Sequence, residues 1–475
     1  MLARKRLAIQ KVGLNFKKEY YAGYSPQALA LIEIDCYLKA VPFPTDPHTH
    51  AIGGLSTSRA VPYEVHGKGK NLGLPKGDNG VAYGRYIGTP AQMAVEKALS
   101  FIAQGVETGS INGGTGVLFD HPLAVLLPSG MSALSSIFTL LQNLKDKRDI
   151  SMIVAPDDCY GGTRGLIKQL GIDIVYAQDS TEAALQNAYE QQGGKTDAII
   201  FEALTNPFTH VADIDAIIKF AKDRNIITVA DSTLAPFSRP VLHGADIDTI
   251  SLTKYFTENT AIAGGIILNK NRTDLLEKFI AYRNTSGPLP GADVITSALY
   301  GLTTLVESYR VHSRNTKYLA QWFLQQPQIA KVYYPGLDQS PQTALAEKYL
   351  DGLHGGLMTI ELKGGRPAAE AFIEATEVPL TGYCVGLSDE KRRIIRPADS
   401  FGLPVTFVNY MRTQMSRYRG MSKEECAAAG ITEGTLRVAV GTQDAGIITA
   451  AFAQALAAIP KNLYHTPKSR QNLSL

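Results

Sequence analysis

The sequence contains few cysteines, and their spacing provides neither cross-links nor a metal site. Cys36, Cys159, Cys384 and Cys426 lie far apart in a chain of 475 residues, and no Cys-x-x-Cys motif occurs. We therefore expect no disulfide framework and no structural zinc. Free thiols are typical of a reducing compartment, so we expect a cytoplasmic protein.

Long apolar runs, a surplus of one charge and metal-ligand sets are missing as well. No apolar stretch is long enough for a membrane span. The formal net charge is only +3, with Lys and Arg spread along the chain, so we expect no nucleic-acid or membrane partner. His48 and His50 form an H-x-H pair, but no Cys and no further His lies near them in sequence. We therefore expect no metal.

What is present describes a large globular protein. Hydrophobic residues make up 45% and charged residues 19% of the chain, and the length predicts two or three structural units. We divide the chain into residues 1–88, 89–300 and 301–475. The first unit is loop-rich apart from a helical pattern over Pro26–Lys39, and we predict an arm that contacts a neighbouring subunit. Its basic beginning predicts an amphipathic surface segment, with a targeting peptide as the alternative.

Residues 123–305 alternate short apolar runs with helical patterns. Six runs are predicted to be buried strands: LAVLLP, SMIVAPD, DIVYAQ, AIIFEAL, IITVADS and TISLTK. Helices are predicted over MSALSSIFTLLQNLK and DIDAIIKFAKDR and, ahead of this region, over AQMAVEKALSFIAQG. Continuous apolar strands that alternate with helices predict an α/β fold, with a mostly parallel sheet covered on both faces.

The segments on either side of this region have other patterns. Residues 106–122, rich in Gly and Thr, are predicted to form a flexible loop. Residues 297–326 predict one long helix that leads out of the α/β region. The runs KVYYPG, GLMTIEL and TLRVAVGT then predict strands of a smaller C-terminal α+β domain.

The stretch TISLTKYF places a lysine at the end of an apolar run. Lys254 stands there among the hydroxyls of Ser251 and Thr253. Poor solvation lowers the pKa of a lysine, and a neutral amine can form a Schiff base. The alternative is a surface lysine that extends into solvent. The residues that follow the other strands decide between the two.

Polar residues follow several other predicted strands, and each has two interpretations. Ser129-Gly130-Met131 opens a helix and offers N–H donors to an anion, or is only a helix cap. Tyr160, before a Gly pair, can lie over a flat ligand or pack under its loop. Asn206 can donate to a phenolate oxygen or belong to a plain Asn-Pro turn. Asp231 ends a buried strand, where a carboxylate is costly unless it meets a cation.

Together these residues match the needs of one cofactor. Pyridoxal phosphate (PLP) requires an amine for its aldehyde, a carboxylate for its ring nitrogen, an aromatic ring over its face and donors for its phosphate. In open parallel sheets, ligands bind at the carboxyl ends of the strands, where all of these residues are expected. No glycine motif of a nucleotide site follows a strand.

The chain resembles the Cys/Met-metabolism family of PLP enzymes, which includes cystathionine γ-synthase, the cystathionine lyases, methionine γ-lyase and the homoserine-ester sulfhydrylases. The matching stretches occur in the family's order over most of the chain: YGRYIGTP (83–90), SGMSAL (129–134), DDCYGGT (157–163), EALTNP (202–207), VADSTLAPF (229–237), SLTKYF (251–256), YPG (334–336) and LRVAVGTQD (436–444). The resemblance implies a fold-type I PLP-dependent transferase whose cofactor-binding α/β domain spans residues 89–300.

The resemblance also implies roles for individual residues. Lys254 would be the Schiff-base lysine and proton carrier, Asp231 would pair with the ring nitrogen, and Tyr160 would stack on the ring. Arg437 would clamp the carboxylate of an amino-acid substrate, with Ser400 beside it. The other cofactor contacts would come from Asn206, Ser129, Gly130, Met131, Ser251, Thr253 and, from a neighbouring subunit, Tyr83 and Arg85.

Two segments depart from the family's pattern. The usual Gly-His-Ser-Asp is here Glu258-Asn259-Thr260-Ala261, and the usual Ser-Leu-Gly-Gly is Ser400-Phe401-Gly402-Leu403. The resemblance implies γ-replacement or γ-elimination on a sulfur amino acid or an activated homoserine derivative. The alternatives are elimination of the cystathionine β-lyase or methionine γ-lyase type, and a degenerate member without catalysis. The implied assembly is a homodimer or homotetramer.

Overall fold

The computed structural model describes residue 35 and residues 62–64, 81–83, 90–111, 119–144, 150–378, 393–412 and 422–464. Apart from Asp35, the predicted helix over Pro26–Lys39 lies outside these residues. The His48/His50 pair and Arg85 lie outside them too. Tyr83 ends a described strand, but its side chain is outside the described part.

Strands and helices alternate along most of the described chain. The strands are β1 (Pro62–Glu64), β2 (Val81–Tyr83), β3 (Thr108–Ile111), β4 (Phe119–Pro122), β5 (Ala124–Leu127), β6 (Ser151–Val154), β7 (Asp173–Tyr176), β8 (Ala198–Glu202), β9 (Ile227–Asp231), β10 (Ile247–Ser251), β11 (Gly264–Leu268), β12 (Ile329–Tyr333), β13 (Leu357–Leu362), β14 (Ile395–Pro397), β15 (Thr406–Tyr410) and β16 (Thr435–Ala439). The α-helices are Pro90–Gln104, Gly130–Leu144, Gly161–Gln169, Glu182–Gln191, Ile214–Lys222, Pro240–His243, Thr273–Ser286, Ala292–Phe323, Thr343–Leu350, Gly365–Thr376, Lys423–Ala428 and Ala445–Ala457, and Lys461–Leu463 is a 3₁₀ turn.

A seven-stranded sheet carries the larger unit, in the order β5-β11-β10-β9-β8-β6-β7. Neighbours from β10 to β7 pair in parallel, and only β11 runs antiparallel to both of its neighbours. Successive residues of one strand enter two cores: Ile199 and Phe201 lie on one face and Ile200 on the other. Because both faces are covered, these strands are apolar throughout rather than alternating. The predicted mostly parallel sheet is confirmed.

The predicted flexible loop over residues 106–122 is wrong in part. Within it, β3 and β4 form an antiparallel pair in which Thr108 is opposite Pro122 and Ile111 is opposite Phe119. The sequences of these strands, TGSI and FDHP, have no apolar run and no regular alternation, which are the signals of a strand. Their order comes from pairing with each other, so the local pattern did not indicate it.

The helix Ala292–Phe323 joins the larger unit to a smaller one. Leu305 and Tyr309 pack in the core of the large sheet, whereas Leu319 and Phe323 pack in the core of a second sheet. That sheet has five strands in the order β12-β13-β16-β15-β14. The predicted long helix and the smaller C-terminal α+β unit are confirmed. In the part of the chain that the structure describes, no helix combines the length and the apolar character needed to cross a membrane.

Candidate active site

Three polar residues end three neighbouring strands at one edge of the large sheet. Glu202 ends β8, Asp231 ends β9 and Ser251 ends β10. Glu202 is directly opposite Asp231 in the parallel register, and Lys254 follows three residues after the end of β10. Parallel strands bring their carboxyl ends to the same edge, so residues far apart in sequence meet there.

A cavity opens at this edge of the sheet. Seven of the predicted site residues line it: Gly130, Met131, Tyr160, Asn206, Asp231, Ser251 and Lys254. The remaining lining comes from Leu134, Glu202, Leu204, Thr233, Leu234 and Phe401. The structure therefore brings the amine of Lys254 and the carboxyl of Asp231 to one cavity.

Lys254 is oriented by a residue from the smaller unit. Its Nζ atom donates a hydrogen bond of 3.2 Å to Oγ of Ser400 and lies 5.0 Å from the centre of the Phe401 ring. Ser400, which the sequence assigned to the substrate side, thus contacts the lysine itself. Gly402 allows this approach, because a Cβ there would lie 2.7 Å from the carbonyl carbon of Lys254.

The N-terminus of the helix Gly130–Leu144 forms one end of the cavity. A Cβ at Gly130 would lie 2.9 Å from Cβ of Ser251, so glycine permits the helix to begin against β10. Exposed N–H groups and the positive end of the helix dipole favour an anion here. Ser129 caps this helix by accepting from Ser132 N at 2.9 Å, and the Thr253 hydroxyl bonds both backbone groups of Ala263 at 3.0 and 3.2 Å. Ser129 and Thr253 support the cavity without lining it.

Asp231 and Glu202 place two carboxyl groups side by side in the interior. Asp231 Oδ1 accepts from Thr233 N at 2.9 Å, and burial raises the pKa of Asp231 above its ordinary value. Burial, followed by the charge of Asp231, raises the pKa of Glu202 well above its ordinary value. Buried carboxylates are stabilised by a nearby cation. The protonated ring nitrogen of PLP is such a cation, so the residues present fit this cofactor.

Glu202 also connects two predicted site residues. Its carboxyl oxygens accept from the backbone N–H groups of Tyr160 and Asn206. The Tyr160 ring lies against Gly162, where an added Cβ would be 2.3 Å from Cε1 of the ring. The turns that carry Tyr160 and Asn206 are therefore held at a common carboxyl group.

Arg437 enters the site from β16 of the smaller sheet. Its guanidinium is buried; Nη1 donates to Oδ1 of Asn206 at 3.1 Å, and Nη2 pairs with Oδ1 of Asp399 at 2.6 Å. Asn206 lines the cavity, so Arg437 lies at its border. The half-exposed Asp399 carboxylate thus binds the Arg437 guanidinium, which by the family resemblance would clamp a substrate carboxylate.

Sequence reasoning missed three residues of this site. Glu202 carried the same signal as Asp231, an acid at the end of a buried strand, and that signal was not applied to it. Asp399 and Asn259 carried no usable signal, because their partners lie 38 and 141 residues away in the chain.

Solved structures share this architecture. The cystathione gamma lyase (CalE6) from Micromonospora echinospora matches with a TM-score of 0.70 at 22% identity, over 89% of this chain and 99% of that one. The cystathionine gamma synthase from Xanthomonas oryzae pv. oryzae matches with a TM-score of 0.67 at 24% identity, over 92% and 100%. The fold is that of the fold-type I PLP-dependent transferases.

The sequence comparisons identify the family. The O-succinylhomoserine sulfhydrylase of Pseudomonas aeruginosa is 30% identical over 342 residues, which cover 71% of this chain and 78% of the relative. The sequence model of the family described as Cys/Met metabolism PLP-dependent enzymes matches residues 57–457 of this chain. The chain belongs to this family, and it is a PLP-dependent enzyme of sulfur amino-acid metabolism.

Proposed function

We propose that this enzyme catalyses γ-replacement or γ-elimination on a sulfur amino acid or an activated homoserine derivative. One observation carries the proposal: the Lys254 amine and the Asp231 carboxyl line the same cavity. An amine that can move protons and a carboxyl that can keep a ring nitrogen protonated are the two groups such chemistry needs from the chain.

Each of the seven predicted site residues that line the cavity has a proposed task. PLP, when bound, supplies an electron sink for the bond that breaks at the substrate Cα. Lys254 takes the proton from Cα and moves a second proton at Cβ, which γ-chemistry requires. Asp231 would hold the proton on the ring nitrogen, and Tyr160 would stack on the ring. Asn206 would donate to the phenolate oxygen.

The proposed phosphate site is the helix N-terminus at Gly130 and Met131 with the hydroxyl of Ser251, supported by Ser129 and Thr253. Arg437 holds the substrate carboxylate, for which a planar guanidinium offers two parallel N–H donors. The substrate carboxylate would thereby be held at the border of the cavity that Lys254 lines.

Turnover by the purified, PLP-loaded chain tests the reaction class. The substrates are cystathionine, methionine and O-succinylhomoserine with cysteine, and the products are ammonia, keto acid and thioether. We expect thioether formation or γ-elimination, with loss of activity and of the cofactor's absorption band in Lys254→Ala. Products of β-elimination alone would instead support a cystathionine β-lyase type of reaction.

We also propose a homodimer or homotetramer in the cytoplasm. The buried Cys159, which is in no disulfide, suits a reducing compartment. In this assembly the segment 1–88 lies against the neighbouring subunit, where Tyr83 and Arg85 reach the phosphate. Light scattering of the purified chain tests the assembly, and a monomer that binds PLP tightly would contradict it.

A further inference from the structure

Asn259 connects the lysine segment to the loop that carries Ser400. Asn259 Oδ1 accepts from Oγ of Ser400 at 2.6 Å, and its Nδ2 donates to the carbonyl oxygen of Phe401 at 2.9 Å. Its own backbone N–H donates to Thr253 O at 2.8 Å. Asn259 is thus fixed to the chain on one side of Lys254 and holds the loop on the other side.

The direction of this hydrogen-bond chain is fixed from one end. The Phe401 carbonyl only accepts, so the amide group facing it is the NH₂ of Asn259. The amide oxygen therefore faces Ser400 and receives the only hydroxyl proton of that serine. Ser400 is left with lone pairs toward Lys254, and the lysine is the donor in their 3.2 Å contact.

We propose that Asn259 is a positioning residue for the reaction. Because Asn259 accepts the hydrogen bond from the Ser400 hydroxyl, Ser400 can only accept a hydrogen bond from Lys254. The amine therefore donates an N–H to the serine and keeps its lone pair for the substrate. A serine free to rotate would instead donate to that lone pair and occupy it. The inference rests on the proposed function, in which Lys254 moves protons.

The backbone at this residue suits asparagine. Asn259 has φ 61°, a left-handed conformation that Asn and Asp tolerate better than other side chains and that Gly adopts freely. Asn259→Gly therefore deletes the amide without backbone strain. Asn259→Asp keeps an acceptor for Ser400 in the same conformation.

Trace acetylation of Lys254 across pH, read by mass spectrometry, tests the proposal in the full chain without PLP. In Asn259→Gly the freed hydroxyl favours the neutral amine, and we expect the pH of half-maximal labelling to fall by about 0.5 to 1 pH unit. In Asn259→Asp the pH of half-maximal labelling should stay the same or rise. Thr260→Ala is the matched control, because that exposed hydroxyl donates to Thr257 O, and we expect no change.

Tyr160, Glu202 and Asp231 line the cavity with Lys254, and Asp399 and Arg437 lie at its border. These ionisable groups are unchanged in every variant, and Asn259→Asp alone adds a carboxyl group. In the PLP-loaded chain, Asn259→Gly should lower kcat by about five- to tenfold, with KM within about twofold. Adding Asn259→Gly to Ser400→Ala should not shift the pH of half-maximal labelling further, because without the Ser400 hydroxyl Asn259 no longer acts on Lys254.

Unchanged labelling in Asn259→Gly, or the same shift in Asn259→Gly, Asn259→Asp and Thr260→Ala, would overturn the proposal. A further shift in the Ser400→Ala background would overturn it as well. The labelling needs neither PLP nor substrate, so its outcome is separate from that of the proposed function. A chain that shows the shift but turns over no substrate refutes only the function.

Discussion

Glu202 gives the most quantitative test of how the site is built. Its two oxygens accept from the N–H groups of Tyr160 and Asn206, and only 7% of the residue is exposed. Glu202→Ala would leave both donors unpaired in the interior. Each unpaired buried donor costs about 1 to 3 kcal/mol, so we expect a loss of about 2 to 6 kcal/mol. That is a large part of the roughly 5 to 15 kcal/mol that stabilises a typical folded protein.

Glu202→Gln should cost about half as much, about 1 to 3 kcal/mol. The amide oxygen still accepts from one N–H, while the NH₂ group faces the other donor. Chemical denaturation of the full chain without PLP, followed by circular dichroism, measures both variants. Glu347→Ala, on the exposed face of the helix Thr343–Leu350, is the control and should change stability by less than about 0.5 kcal/mol. Equal losses in Glu202→Ala and Glu347→Ala would refute the reasoning.

Three further predictions follow from the charges of the site. Burial raises the pKa of Glu202 and of Asp231, so these two groups bind more protons in the folded chain without PLP than in the unfolded chain. Their contribution to stability should fall as pH rises above the ordinary carboxyl range, so the melting temperature of Glu202→Gln should rise relative to that of the unmodified chain over this range; a difference that does not change with pH would contradict this. Asp231→Asn should keep the fold but lower kcat/KM by roughly 10²- to 10³-fold, as expected when one member of a buried ion pair is lost; activity near that of the unmodified enzyme would exclude the pairing role. Asp399→Asn removes the carboxylate that pairs with Arg437 and should lower KM for small amino-acid substrates several-fold. An unchanged KM would show that Asp399 does not compete with the substrate carboxylate for Arg437.

The sequence predicted the parts of the structure that depend on local pattern and chain order. Runs such as AIIFE and ITVAD are apolar throughout, and a strand with that pattern belongs inside a covered parallel sheet. Once the strands are parallel, their carboxyl ends share an edge, so Tyr160, Asp231 and Lys254 had to lie near each other. That argument needed no knowledge of distances.

The remaining features depend on contacts between distant segments. The strands β3 and β4 are held by each other rather than by an apolar pattern of their own. The contacts of Ser400 with Lys254 and Asn259 depend on how the smaller unit docks against the larger one. Residues 146 and 141 positions apart leave no periodic trace in the sequence, so only the folded chain shows these pairs.

The central claim is that the Lys254 amine and the Asp231 carboxyl face one PLP ring. Borohydride reduction of the PLP-loaded chain, followed by peptide mass spectrometry, locates the lysine that bonds the cofactor. We predict a single modified peptide that contains Lys254, and no modified peptide in Lys254→Ala. A stable modification at another lysine, or one that persists in Lys254→Ala, would contradict the account.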